Sequence, residues 1–325
     1  MGGIETVTDL MATAFVAKGH EVQIVTDTPA VNDTVDRFPT LRRPSKRELW
    51  AAVRAADIIW QNNVALNYLW APVLQRKPTA VTLQCAIFPD FPQKNWRVRL
   101  KALLLKRCFI FAISRYVMND LKQNFELIGN PFAPGFSHQD GPASKDRDIV
   151  FVARLVSDEG VDLLLLSIAE LSRKGIQPTC TIIGDGEEKT PLEAMVRELG
   201  IEAQVRFTGF MQGEALHAEI GKHRIMAVPS RWKEPFGIVA LEGIAAGCAV
   251  VGSSGGGLGD AIGPCGLTVE NNDGPALTDA LEQLLTQPEL IERCRQQAEA
   301  HLDKFSVESQ SNRYLETFAE LIRKR

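Results

Sequence analysis

Cysteine is sparse and scattered: Cys85, Cys108, Cys180, Cys248, Cys265 and Cys294 form no Cys-x-x-Cys, and no histidine stands near them at ligand spacing. That argues against a zinc site or a disulfide framework and fits a reducing cytosol. No apolar run approaches the length of a membrane span, and Met1 does not open a signal-peptide pattern. Excess positive charge is lacking too. The 36 Lys and Arg stand against 40 Asp and Glu, a net charge of −4, so nucleic acid is not expected as a partner. There is no internal repeat and no low-complexity tract. A P-loop lysine is absent. No Asp-x-Asp sits at a strand end, so no catalytic metal is expected.

What remains is a chain of 325 residues, 45% hydrophobic and 23% charged, long enough for two globular domains with their own cores. Short β-branched runs alternate with longer helical patterns, which predicts an α/β protein with parallel sheets. Strands are expected at 22–26, 58–60, 80–83 and 108–112 in a first half. In a second half they are expected at 149–153, 179–183, 205–207 and 225–228. The Pro- and Gly-rich segment 129–142 reads as the linker. The domains are accordingly drawn at 1–140 and 141–305, with a closing segment 306–325.

The most informative stretch runs from Ser230 through Glu234-Pro235-Phe236-Gly237-Ile238-Val239-Ala240-Leu241 to Glu242. It follows a β-type run, and Pro235 and Gly237 break regular structure before small, helix-compatible residues resume. The reading is strand, loop carrying Glu234, then a helix with Glu242 in its first turns. The free N–H groups and positive dipole end of that helix suit a diphosphate. Carboxylates on either side can each accept from neighbouring hydroxyls of a sugar or ribose.

This segment resembles the Glu-x7-Glu signature of retaining glycosyltransferases of family 4, including the Pro-Ser before it and the run Ala246-Gly247-Cys248-Ala249-Val250-Val251 after it. The resemblance implies a GT-B arrangement, two Rossmann-like βαβ domains facing a cleft, with residues 306–325 as a helix crossing back to the first domain. It implies a metal-independent hexosyltransferase of polysaccharide or glycolipid synthesis. The enzyme would be cytoplasmic or peripheral on the inner membrane face and would use no cofactor. UDP- or GDP-linked donors are favoured over ADP-linked ones, and the acceptor would be a sugar or a lipid-linked sugar. Glu234 and Arg154 would be catalytic. Gly3, Arg154, Phe210, Phe236, Gly237, Ile238, Val239 and Glu242 would bind the donor.

Departures from the family pattern are specific. Val152-Ala153-Arg154 and Gly160-Val161-Asp162 match a diphosphate-clamping element, and an Arg fork there can hold two phosphate oxygens. Yet Glu159 stands where the family has Lys. Gln84 replaces a His near the transferred sugar. The family's first strand, which precedes the Gly2-Gly3-Ile4-Glu5 element, has no counterpart, so the first sheet is expected to lack a central strand. Ile183-Gly184-Asp185-Gly186 reads as a structural turn, and the histidines as lone surface residues. The basic stretch 94–107 puts Trp96, Leu100, Leu103 and Leu104 on one stripe, which either packs on the sheet or lies on an anionic membrane. Two rival readings stay open: a nucleotide-sugar-binding protein of the same fold that has lost catalysis, and a non-hydrolysing sugar-nucleotide epimerase.

Overall fold

The computed structural model describes residues 3–29, 36–86, 96–118, 124–132 and 145–324. The chain divides into two units, Met1–Pro131 with Val307–Arg325, and Phe132–Ser306. Most of the expected linker 129–142 lies outside the described residues.

In the first unit the order is α1 (Gly3–Ala17), β1 (Ile24–Thr26), β2 (Thr40–Arg42), α2 (Lys46–Ala55), β3 (Ile59–Asn62), α3 (Leu66–Leu74), β4 (Thr79–Leu83), α4 (Trp96–Leu105), β5 (Phe109–Ala112) and β6 (Glu126–Leu127). Every pairing is parallel, as short β-branched runs joined by helices require. The strands nevertheless fall into two sheets, β1-β2 and β3-β4-β5-β6. Ile24 donates to Pro39 and Arg43 to Thr26, so Ile24 and Thr26 use their backbone toward β2. Ile59 and Asn63 likewise bond Pro78 and Thr82, on the β4 side. In a parallel ladder alternate residues point to opposite sides. The backbone groups of Val25, Trp60 and Asn62 therefore face away from β2 and β4, with no ladder partner among the described residues.

Helix α1 begins at Gly3, so the Gly-Ile-Glu element is helical rather than a loop. Val7, Met11 and Phe15, four residues apart, are its buried face. That face meets the helix after the second unit, α13 below. At the strand ends a buried amide network gathers. Gln84 Nε2 donates to Asn62 Oδ1 at 2.7 Å and Asn130 Oδ1 at 2.9 Å, and Asn62 Nδ2 donates to Ile4 O at 3.1 Å. Within α4 one residue of the expected stripe departs from the sheet-packing alternative. Leu103 is 61% exposed and Leu105 is the buried residue. Residues 94 and 95 lie outside the described ones, as do the side chains of 96–98.

The second unit runs β7 (Arg147–Val152), α5 (Val161–Arg173), β8 (Cys180–Ile183), α6 (Lys189–Leu199), β9 (Val205–Gly209), α7 (Gly213–Gly221), β10 (His223–Val228), α8 (Ile238–Ala245), β11 (Ala249–Ser253), α9 (Leu258–Ile262), β12 (Gly266–Val269), α10 (Gly274–Thr286), α11 (Pro288–Gln296) and α12 (Ala298–Asp303). Its sheet has the order β12-β11-β10-β7-β8-β9, all parallel. The order reverses between β7 and β10, where a doubly wound sheet opens its crevice beyond the strand ends. Ile149, Phe151, Ile182, Ile225 and Val251 pack against Leu164, Leu165 and Ile168 of α5 and Leu281 of α10. Two histidines are core residues, correcting the surface expectation. His223 lies between Glu219 O at 2.8 Å and Thr181 Oγ1 at 2.9 Å, and His301 bonds Ala261 O at 2.7 Å.

The last helix, α13 (Val307–Arg323), belongs to the first unit. Its Tyr314 is buried among Phe15, Trp60, Phe111 and Phe318 in edge and tilted ring contacts.

Candidate functional site

The strand ends at the crevice of the second unit carry the residues singled out above. Past β10 the chain turns through Ser230 and Glu234 into α8. Glu234 is only 8% exposed, and Ser230 Oγ donates to its Oε1 at 2.6 Å. The Glu234 backbone is bridged in parallel to Gly256, and Gly257 N–H donates to Glu234 O at 2.6 Å. Gly256 has φ 89°, and a Cβ there would stand 2.3 Å from Glu234 O. Only glycine permits that approach. The glycine-rich segment after β11, with Gly256 and Gly257, is thus what grips the Glu234 loop.

Asn271 tightens the same grip. Its Nδ2 donates to Ser230 O at 2.8 Å and Trp232 O at 3.1 Å, while its Oδ1 accepts from Gly255 N at 2.8 Å. No motif marked Asn271. Its only sequence signal is an amide side chain in a loop beyond a strand. Ser230 stood in the matched motif, but its bond to Glu234 was not foreseen.

Helix α8 starts from Gly237, held at φ 98° with no side-chain cap. Its first N–H groups are therefore left for a ligand or water. Glu234 Oε2 lies 3.1 Å from where a Cβ on Gly237 would be, so this carboxylate borders the helix start. Glu242 is the fifth residue of the helix. Ile238 and Val239, in its first turn, are half-buried. The Phe236 ring is 2% exposed and packs against Phe305 at 5.5 Å between ring centroids.

Burial dominates the protonation of both acids. It raises Glu234, against the lowering bond from Ser230, and it pushes Glu242 up to about 7.

Arg154 is exposed just beyond β7. Its loop is fixed by Leu155 N–H to Asp185 O at 3.0 Å and Glu188 N–H to Leu155 O at 3.0 Å. Gly184 and Gly186 allow this, since a Cβ on either would lie 1.9 or 2.3 Å from the carbonyls of Ala153 and Leu155. The turn expected there is structural, and what it supports is the Arg154 loop. Phe210, after β9, is 71% exposed. Gly3 lies in the first unit, at the start of α1.

Gln84, in the first unit, spends its amide on Asn62 and Asn130. Among the described residues no group of three or more His, Cys, Asp or Glu is disposed to hold a metal. No helix among them is long and apolar enough to cross a membrane.

An α/β fold of parallel sheets, with two carboxylates and an uncapped helix start at the strand ends, defines the class. The chain belongs to the family Glycosyl transferases group 1, whose model matches residues 136–301. It is 35% identical over 156 residues to an alpha-D-kanosaminyltransferase of Streptomyces kanamyceticus, covering 47% of this chain and 40% of that protein. It is 34% identical over 179 residues to a D-inositol 3-phosphate glycosyltransferase of Rhodococcus erythropolis, covering 52% and 40%. The chain thus spans 40% of the length of these relatives.

The whole chain superposes on 96% of a glycosyltransferase structure from Rickettsia africae, with TM-score 0.82 and 17% identity. With Anabaena HepE in complex with UDP, the TM-score is 0.81 at 19% identity, over 98% of this chain and 96% of that one. These likenesses give the GT-B fold class, two Rossmann-like α/β domains.

Proposed function

We propose that this chain is a retaining, metal-independent glycosyltransferase of the Glu-x7-Glu type. It would move a hexose-type sugar from a nucleotide-sugar donor to an acceptor hydroxyl, in polysaccharide or glycolipid synthesis in the cytoplasm. The observation that carries this reading is the start of α8. Uncapped N–H groups there are bordered by buried Glu234, with Glu242 farther along the same helix. The donor diphosphate is assigned to that helix start and to Arg154. Both are positive, and both can stabilise the charge that grows on the leaving diphosphate. Glu242 is assigned to the ribose hydroxyls and Glu234 to hydroxyls of the transferred sugar. The backbone of Gly237, Ile238 and Val239 completes the donor contacts, and that beyond Phe210 meets the nucleobase.

In the transfer step the acceptor oxygen bonds to the anomeric carbon as the bond from that carbon to the diphosphate oxygen breaks. The acceptor proton leaves with the diphosphate. The relatives named above support the class of reaction, and UDP in the HepE structure supports a nucleotide donor. UDP- or GDP-linked donors and a sugar or lipid-linked acceptor are the partners we assign.

The test is a thermal-shift panel with UDP, GDP, ADP and their common sugar conjugates. Ligand at a hundred times its Kd stabilises by about 2.7 kcal/mol, a shift of a few degrees. A selective shift with one nucleotide is expected. A cooperative melt unmoved by all of them would overturn the donor-site reading. A selective shift without transfer in an activity assay would favour the second reading, a nucleotide-sugar-binding protein of the same fold that has lost catalysis, for which Glu159 is the observation.

A further inference from the structure

Glu159 closes a 3-10 turn, Ser157–Glu159, between β7 and α5. That turn is locked onto the loop that carries Glu234. Gly160 has φ 71°, and a Cβ on it would sit 2.2 Å from Pro229 O, the residue just before Ser230. Arg231 N–H donates to Asp158 O at 2.8 Å. The Arg231 guanidinium pairs with Asp162 in the first turn of α5 and reaches Asn272 Oδ1 at 2.6 Å. Two loops from different strands are thereby held side by side, and half-buried Glu159 is brought near Glu234 and Arg154.

The charged groups facing Glu159 can be named. Glu234 and Asp158 repel its negative charge and Arg154 attracts it, while Arg231 is already spent on Asp162. Burial, then Glu234, push the Glu159 carboxyl up to about 7 against the pull of Arg154. The seat assigned to the diphosphate thus contains a carboxylate where a cation would be useful. A diphosphate bridging two sugars carries two negative charges, and these would raise that carboxyl further.

Resting on the reading given above for this site, we propose that the donor binds together with a proton taken up on Glu159. The neutral carboxyl then offers a hydrogen bond where its anion would repel a phosphate oxygen. The sign follows from linkage. Glu159 is ionised above its free-state value of about 7, so the bound state holds one more proton there. Affinity falls by up to roughly tenfold for each pH unit above that point and levels off below it.

The experiment is calorimetric titration of the full chain with UDP-glucose and with GDP-mannose from pH 6 to 9, in two buffers of different ionisation enthalpy. Sugar conjugates serve better than free diphosphates, because a terminal phosphate titrates by itself near pH ~6. Expected are uptake of about one proton at pH 8 and a Kd that rises with pH. Glu159→Gln should bind without proton uptake, with a flat Kd across the range. Glu159→Lys should bind more tightly than the parent at pH 8, also with a flat profile.

Binding by the parent without proton uptake overturns the proposal and leaves the donor site standing. So does uptake that persists in Glu159→Gln and vanishes in Glu242→Gln, since Glu242 also titrates near 7. Failure of parent and variants to bind either conjugate at any pH overturns the donor-site reading and the proton gate together.

Discussion

Glu234 borders the start of α8 and Glu242 lies within it, and they differ in what holds them. Glu234 has Ser230 Oγ on one oxygen and its backbone tied to Gly257, so its position is set before any ligand arrives. For Glu242 burial is the one cause behind its rise to about 7. Glu242→Ala is therefore expected to raise the nucleotide Kd about tenfold or more, the worth of a hydrogen bond to a charged group. Glu234→Ala should leave Kd near the parent value and lower kcat. Calorimetry beside a transfer assay separates the two, and equal effects of both on binding alone would contradict these roles.

His223 gives a residue-scale prediction about stability. Burial depresses its pKa from the ordinary 6.5 to about 4, so the folded state favours the neutral ring. The unfolded chain binds the extra proton between those values. The stability is present above ~6.5 and is lost as pH falls toward 4, by no more than about 3 kcal/mol. Urea midpoints measured from pH 7 to 4 should show a drop that His223→Gln lacks in part. The loop carrying Glu234 and the helix carrying Glu242 were legible because Pro235 and Gly237 break regular structure between them. Asn271 and the burial of His223 were not, since both depend on contacts between segments distant in sequence.

At the scale of elements, the strands with several β-branched residues were readable, β4, β7 and β10 among them. Strands β2 and β6, of three and two residues, were not, because so short a run carries no periodicity. In α4 the helical wheel placed Leu103 with the apolar stripe, yet packing selects Leu105 instead. The grip of the loop after β11 on the loop after β10 yields a further prediction. Gly256→Ala must strain a φ of 89° and push a Cβ into Glu234 O, 2.3 Å away. A loss of about 1–3 kcal/mol is expected in urea unfolding, with a lower kcat as Glu234 shifts. An unchanged midpoint would mean the loop relaxes freely.

For the molecule as a whole, the reach of the last helix matters most. Tyr314 lies 232 residues from Thr82 in the chain, yet their hydroxyls are 2.8 Å apart, and Trp60 Nε1 donates to the same Thr82 oxygen at 2.9 Å. Tyr314→Phe removes one buried bond and should cost about 1 kcal/mol. Tyr314→Ala also empties a ring site and should cost about 3–5 kcal/mol, seen as a lower midpoint for Trp60 fluorescence.

The two sheets of the first unit carry a different consequence. Val25 and Ile59, from separate sheets, both rest on the Leu49, Val53 and Ala71 cluster of α2 and α3. That packing, together with the Tyr68 hydroxyl donating to Asp27, couples the β1-β2 pair to the other four strands, because no backbone ladder joins them among the described residues. Coupling between the two sheets therefore passes through side chains rather than through a shared ladder. The half-buried β1-β2 pair is accordingly expected to exchange its amide protons sooner than the fully buried Thr79–Leu83 strand.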